Sequence, residues 1–165
     1  MKSATRKKTL FICYAAIIAA CYVVLTYVSR IFGLDSGVIQ LRLSEMLCIL
    51  PMFTSAAIPG VTLGCFLANL LTGAVPLDIF VGPVATLLGA LGTYALRRFR
   101  WLAPLPPVLA NALIIPFVLA YGYHVGDAIP FMMLTVGAGE ILSIYGAGSL
   151  FYLSINKNKD RIFKI

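Results

Sequence analysis

Long apolar runs, broken by short polar or proline-containing segments, cover most of the chain. Each run is continuous and does not alternate with polar residues, so the pattern predicts helices and not the strands of a membrane β-barrel. Because a transmembrane helix needs about 20 apolar residues, a chain of this length holds about six of them. We predict helices over residues 9–32, 42–54, 59–71, 79–96, 108–120 and 130–155. The second is short for a span, and we expect it to tilt or to meet the third helix inside the membrane.

Composition supports the same fold class. Hydrophobic residues make up 61% of the 165 residues, charged residues only 12%, and the mean hydropathy is +0.96. A soluble domain carries about 25% charged residues. We therefore predict an all-α integral membrane protein, with one six-helix domain over residues 1–165 embedded in the lipid bilayer. The first apolar run follows a basic stretch, as in a signal peptide, but it is long enough to span and is expected to be retained.

The basic residues predict how the helices are oriented. Eleven of the 13 Lys and Arg residues flank apolar runs in three clusters, at residues 2–8, 97–100 and 157–164. By the positive-inside rule, both termini and the loop after the fourth helix are cytoplasmic, which predicts a multi-pass protein of the cell membrane. The loops on the other side carry acidic residues and no lysine: Asp35, Asp78 and Asp127. Because the basic residues follow the helix ends, we do not expect nucleic-acid binding.

The sequence lacks the motifs that indicate ATP hydrolysis or metal binding. The sequence contains no G-x-x-x-x-G-K-[ST] loop for ATP and no H-E-x-x-H metal motif. Its four cysteines lie inside apolar segments without CxxC spacing, which favours a packing role. With one histidine and no hydroxyl nucleophile in a recognisable setting, we expect neither an enzyme nor a bound metal or cofactor.

Two carboxylates lie inside predicted helices, where an ionised side chain costs about 2.5–3.5 kcal/mol on insertion scales. They are Glu45 and Glu140, and each requires polar partners. Candidate partners on the same side of the membrane are Gln40, Arg42, Asn69 and His124, with Asn111 weighted less because it lies near the inner end of its helix. Arg42 and Glu45 are one helical turn apart, so they either bind a ligand or form an internal ion pair.

Further positions each allow a functional and a structural interpretation. Glu140 has no basic neighbour in its own helix, and glycines around it leave open space, although Gly139 could equally be a packing contact. Tyr145, like Tyr121 and Tyr123, could stack on a planar solute or belong to an interfacial aromatic belt. The first helix carries two overlapping A-x-x-x-A pairs, which suit close helix packing within the chain or with a partner. These pairs consist of Ala15, Ala16, Ala19 and Ala20.

Five segments together resemble the QueT family of queuosine-precursor carriers, which are substrate-binding (S) components of energy-coupling factor (ECF) transporters. The resemblance covers nearly the whole chain and is weaker after about residue 100. The segments are Gln40-Leu41-Arg42-Leu43-Ser44-Glu45 with Leu47-Cys48-Ile49-Leu50-Pro51, Ala57-Ile58-Pro59-Gly60, Gly64-Cys65-x-x-Ala68-Asn69-Leu70, Leu77-Asp78-x-x-x-Gly82 and Ala85-Thr86-Leu87-Leu88.

The resemblance implies a fold, a ligand and partners. S components are six-helix bundles that bind a scarce vitamin or base on the external side. They dock through the alanine stripe of the first helix onto a membrane scaffold subunit, which is shared with two ATPase subunits. The resemblance therefore implies a queuosine precursor as substrate and a docking surface at Ala15, Ala16, Ala19 and Ala20. The implied substrate-binding residues are Glu140, Glu45, Arg42, Gln40, Asn69, Asp78, His124 and Tyr145.

The implied ligand suits these residue types. A 7-deazaguanine base presents adjacent N–H donors on its pyrimidine edge, which one carboxylate can accept as a pair. Its carbonyl needs a donor such as Gln40, Arg42 or Asn69, and a cationic substituent needs a second carboxylate. Our hypothesis is that Glu45 and Glu140 divide these two tasks, in an order that the sequence leaves open.

Two alternatives remain open at this point. The first keeps the architecture and changes the cargo to another vitamin, such as a flavin, pyridoxine or folate. The second is a membrane scaffold protein whose alanine stripe only packs helices. It differs by expecting no small-molecule binding.

Overall fold

The computed structural model describes residues 2–34 and 39–157, and within them it contains six helices and no strand. The predicted all-helical fold is confirmed. The helices are α1 (Lys2–Ile31), a 3-10 helix (Leu43–Met52), α2 (Ala57–Leu71), α3 (Pro76–Ala95), α4 (Leu105–Tyr121) and the C-terminal helix (Ile129–Asn156). In the C-terminal helix, Ile129–Glu140 and Gly148–Asn156 are α-helical and flank a π-helical segment, Ile141–Ala147.

Several predicted helix boundaries were wrong, mostly because helices begin earlier than expected. Lysine and arginine are good helix formers, so α1 already includes the basic stretch before residue 9. Helix α3 begins at Pro76, and Asp78 therefore lies in its first turn and not in a loop. Helix α4 begins at Leu105 and takes Pro106 into its first turn. Proline is tolerated there because the first N–H groups of a helix have no intrahelical acceptor. Asp35 and the basic tail after Lys157 lie outside the described residues.

The 3-10 helix is the central element of the bundle. It contacts α1, α2, α3 and the π-helical segment, and seven of its ten residues are buried. At about 2.0 Å per residue it is about 20 Å long, which is shorter than the bilayer core of about 30 Å. Irregular backbone at membrane depth is tolerated where protein surrounds it. The second helix is short, as expected, and the other helices surround it.

Helices α1 and α2 pack closely through small residues. A Cβ atom at Gly64 would lie 2.6 Å from Tyr22 Cβ, and one at Gly60 would lie 2.9 Å from Ile18 Cβ. The buried alanines Ala15 and Ala19 lie at this same contact. Small residues let transmembrane helices approach so closely that dispersion and weak polar contacts hold them together.

The outer surface of the bundle is apolar. Large hydrophobic side chains are exposed along the helices, among them Ile17, Phe80, Leu88, Leu113 and Leu134. An apolar surface of this extent on a soluble protein would be a site of aggregation, whereas lipid covers it in a membrane. Three helices are long and apolar enough to cross a membrane, and three apolar helices are shorter. The chain is a membrane protein.

Candidate functional site

A cavity of about 430 Å³ opens at the end of the bundle where α1 and α2 end and α3 begins. Two contacts hold this end together: Arg30 Nη1 donates to the carbonyl of Thr72 at 2.9 Å, and the main-chain N–H of Leu43 donates to Ser29 Oγ at 2.8 Å. The lining residues are Thr26, Ser29, Arg30, Gln40, Arg42, Asn69, Thr72, Ala74, Asp78, Leu119, Tyr123 and Val125. Most of these residues have polar side chains, although the helices that surround the cavity are apolar.

Asp78 is the centre of the polar contacts in this cavity. Its Oδ2 atom lies 3.9 Å from Arg42 Nη2, and Asn69 Nδ2 donates to its main-chain carbonyl at 2.9 Å and to its Oδ1 at 3.4 Å. Asp78 is only 2% exposed, and its place in the first turn of α3 puts the carboxylate at the positive end of a helix dipole. A Cβ atom at Gly82 would lie 2.8 Å from Asn69 Nδ2, so this cluster requires glycine there.

Tyr123, in the segment after α4, also binds Asp78. Its hydroxyl donates to Asp78 Oδ2 at 3.0 Å, while 42% of the residue remains exposed. Burial, followed by the negative charge of Asp78, raises the pKa of Tyr123 above its ordinary value. The phenol therefore keeps its proton and remains a donor at the edge of the cavity.

A buried layer of polar groups lies in the 3-10 helix and against α1. Glu45 is 2% exposed, accepts a hydrogen bond from the hydroxyl of Tyr22, and has the Sγ atom of Cys48 3.2 Å from its Oε2. Both carboxylate oxygens of Glu45 are thus engaged within the protein. Neither Glu45 nor its two partners belong to the lining of the cavity.

Glu140 lies at the junction between the α-helical and π-helical parts of the C-terminal helix. Asn111 Nδ2 donates to its Oε1 at 3.0 Å, whereas its Oε2 is buried and has no hydrogen-bond partner. The neighbouring Gly139 packs directly on the main-chain carbonyl of Gln40, which lines the cavity. Glu140 therefore lies close behind the cavity wall, with one oxygen available for a further contact.

The structure brings only part of the predicted site together. Gln40, Arg42, Asn69 and Asp78 line the cavity, whereas Glu45 lies in the buried layer and Glu140 lies behind the cavity wall. The alternative of an Arg42–Glu45 ion pair is wrong, because the carboxylate within 4.0 Å of Arg42 among the described residues belongs to Asp78. Asn111, the less favoured candidate partner, is the residue that bonds Glu140, because α4 packs against the C-terminal helix.

Two predicted binding residues lie away from the cavity. His124 is exposed, with a φ of 54°, and does not belong to the cavity lining. Tyr145 lies further along the C-terminal helix, where its hydroxyl donates to the carbonyl of Trp101 at 2.8 Å. Trp101 follows the end of α3, so this contact lies at the opposite end of the bundle from the cavity.

The two alanine pairs of α1 have different environments. Ala15 and Ala19 are buried against α2 and are not accessible to a partner in this conformation. Ala16 and Ala20 are exposed on the outer face of the bundle. The intramolecular interpretation therefore describes the first pair, and the second pair remains available for docking.

Sequence reasoning missed Tyr22 and Arg30 and assigned no specific role to Tyr123. A tyrosine in a hydrophobic run gives no signal of its own, and the contact between Tyr22 and Glu45 joins residues 23 positions apart. The single arginine at the end of the first predicted helix was visible and could have been paired with the cavity. Among the described residues no group of three or more His, Cys, Asp or Glu side chains could hold a metal ion.

The chain is similar to a known protein family and to a named relative. The family model described as "QueT transporter" matches residues 12–157. A relative from Lactococcus lactis subsp. cremoris (strain MG1363), named "Queuosine precursor transporter QueT", is 38% identical over 96 residues, which is 58% of this chain. The match spans 56% of the length of that relative. No solved structure matches.

Proposed function

Because the chain belongs to the QueT transporter family, we propose that it is the substrate-binding membrane subunit of an ECF transporter and captures a queuosine precursor. The observation that carries this proposal is the polar cavity around Arg42 and Asp78 at one end of an otherwise apolar bundle. A cavity of about 430 Å³ falls within the range of about 300–1,000 Å³ that is usual for small-molecule sites.

The polar groups of the cavity suit the edges of a 7-deazaguanine base. Arg42 supplies N–H donors for a carbonyl oxygen, and its planar guanidinium can donate two parallel hydrogen bonds. Asp78 supplies acceptors for the adjacent N–H groups of the pyrimidine edge. The side-chain amide of Gln40 can both donate and accept. The site therefore contains donors and acceptors for each polar edge of the base.

Glu45 and Glu140 have different parts in this proposal. Glu45 has both oxygens engaged by Tyr22 and Cys48, so it supports the central 3-10 helix. Glu140 keeps Oε2 without a partner, close behind Gln40, and we assign to it a contact with the bound base after a small movement of that wall. We therefore no longer divide ligand binding between the two carboxylates: Glu45 supports the fold and Glu140 binds the base.

We propose that the chain is a multi-pass protein of the cell membrane and that its cavity opens on the external side. Helix α1 runs from a basic stretch to the cavity, and α3 runs from the cavity to Arg97, Arg98 and Arg100. The cavity and these basic clusters thus lie at opposite ends of the bundle. The positive-inside rule assigns the basic end to the cytoplasm, which leaves the cavity open to external substrate.

The proposed partners are the ECF scaffold subunit and two ATPase subunits. Since Ala15 and Ala19 are buried, we assign docking to the exposed face that contains Ala16 and Ala20. Ala20→Trp should abolish co-purification of the scaffold subunit while ligand binding is retained. Leu88→Trp, on the exposed face of α3, is the matched control and should retain both.

The experiment that tests the proposed ligand is calorimetric titration of the detergent-purified chain with queuosine precursors, guanine and several vitamins. We expect submicromolar binding of a 7-deazaguanine and much weaker binding of guanine. Binding of a different vitamin would keep the S-component architecture and overturn the substrate. A folded protein that binds nothing in the panel would instead favour a membrane scaffold.

A further inference from the structure

A smaller chamber of about 110 Å³ lies beside the main cavity. The two spaces share three lining residues, Gln40, Leu119 and Val125, so only one layer of side chains separates them. The other residues around this side chamber are Asp127, Phe131, Met132, Thr135 and Val136. At about 30 Å³ for each water molecule, the side chamber has room for a group of a few heavy atoms and not for a second bicyclic base.

The polar groups of the side chamber are less engaged than those of the cavity. Asp127 forms no ion pair or hydrogen bond with any residue in ranges 2–34 and 39–157. Asp78, by comparison, is held by an arginine, an asparagine and a tyrosine. Thr135 donates its hydroxyl hydrogen to the carbonyl of Met132 at 3.1 Å and keeps its acceptor lone pairs. Apart from Gln40, the remaining lining residues of the side chamber are apolar.

A substituted 7-deazaguanine needs two spaces of these kinds. Its pyrimidine edge and its position-7 substituent project from opposite parts of the ring system. When the pyrimidine edge contacts Arg42 and Asp78, the substituent needs an adjoining space. A cationic amine in that space needs a carboxylate whose charge no protein cation already balances. Asp127 is such a carboxylate.

We propose that the side chamber receives the position-7 substituent of the base, with Asp127 pairing with its amine and Thr135 accepting one of its hydrogens. This inference rests on the proposed function and extends it to specificity. It makes the chain selective for 7-deazaguanines with a small cationic substituent. Gln40 forms the boundary between the ring site and the substituent site.

Three ligands test this proposal by calorimetry on the full chain: 7-deazaguanine, its 7-cyano derivative and its 7-aminomethyl derivative. Thr135→Leu fills the side chamber, and because overpacking is penalised we expect about tenfold weaker binding of both substituted bases and unchanged binding of the unsubstituted base. Asp127→Asn removes only the charge, so we expect about fivefold weaker binding of the aminomethyl base alone.

Ser154→Leu is the matched control, because Ser154 is exposed on the same helix and its hydroxyl also bonds a main-chain carbonyl of that helix. It should leave all three affinities unchanged. Equal effects of Thr135→Leu on the three ligands, or of Asp127→Asn on the cyano and aminomethyl bases, would overturn the side-chamber proposal and leave the carrier function intact. Absence of binding of every base by the unsubstituted protein would overturn the proposed function, and this proposal with it.

Discussion

The cavity around Asp78 and the buried layer around Glu45 hold their carboxylates in opposite ways. Asp78 is bound by a cation, an amide and a phenol, and 24% of the Arg42 side chain and 42% of Tyr123 remain exposed. Glu45 is enclosed by neutral donors from α1 and from its own helix. The first arrangement can exchange a protein contact for a ligand contact, because water and solute reach Arg42 and Tyr123 although Asp78 itself is buried.

The buried layer cannot exchange partners in that way. Removing a hydrogen bond from a buried carboxylate leaves it unsatisfied, and such a loss costs about 1–3 kcal/mol. Glu45 contributes a buried side-chain hydrogen bond between the central 3-10 helix and α1. This comparison assigns ligand binding to the first region and stability to the second, with Glu140 between them. Four substitutions test this assignment.

Asp78→Asn should have the largest effect. The substitution keeps the shape of the side chain, removes its charge and leaves Arg42 without an ion-pair partner. Truncating one partner of a buried charge pair costs about 2–5 kcal/mol, so ligand affinity should fall about 100-fold. Calorimetric titration measures this loss. In the double variant Arg42→Gln/Asp78→Asn, thermal stability should be no lower than in Asp78→Asn, since no unpaired charge remains. Affinity within about twofold of the original would remove Asp78 from the binding site.

The sequence predicts the helices around this cavity better than the side-chain contacts within it. The apolar runs predict the number and order of the six helices, three of which are long and apolar enough to cross a membrane. The segment from Gln40 to Glu45 was correctly singled out as polar within apolar surroundings. Spacing suggested that Arg42 pairs with Glu45, but the 3-10 helix and the early start of α3 bring Asp78 to Arg42 instead.

Side-chain contacts between helices that are far apart in the chain could not be predicted from the sequence. Asn111 binds Glu140 from a helix that joins it only in the folded bundle, and Tyr22 binds Glu45 in the same way. Neither residue belongs to a local motif. The π-helical segment beside Glu140 also has no periodic signal, since it is a local departure from the α-helical hydrogen-bond pattern.

Tyr22→Phe should have the next largest effect, and it should act on stability. The phenylalanine retains the packing against Gly64 but leaves a Glu45 oxygen without its donor. We expect the free energy of unfolding to fall by about 2 kcal/mol. Thermal unfolding in detergent measures this change, and calorimetry should find an unchanged ligand affinity. Thr9→Val, which removes an exposed hydroxyl of the same helix, is the control and should have little effect. A large loss of affinity in a stable Tyr22→Phe protein would contradict the assignment of this layer to stability.

Glu140→Gln tests the residue between the two regions. Glutamine keeps an acceptor for Asn111 but converts the available oxygen into a neutral group. If that oxygen binds the base, affinity should fall about tenfold, because a charged acceptor binds N–H donors more strongly than a neutral one. Asn111→Ser is the companion variant and should weaken binding less, since it leaves the carboxylate in place. Unchanged affinity in Glu140→Gln would assign Glu140 to the buried layer together with Glu45.

Tyr123→Phe should have the smallest effect and the most specific one. The hydroxyl donates one hydrogen bond to Asp78 at the exposed edge of the cavity, so its removal should weaken ligand binding about threefold. Because the pKa of Tyr123 is raised, the phenol keeps its proton, and the affinity ratio of the two proteins should be constant between about pH 7 and about pH 9. The stabilisation from this protonated phenol is complete below its ordinary pKa of about 10 and is lost as the pH rises through the higher pKa of the folded state. Thermal unfolding above about pH 10 should therefore show a steeper alkaline decline in the original protein than in Tyr123→Phe. Equal declines would mean that Asp78 does not depend on this phenol, and that the cavity is held by the arginine and the asparagine alone.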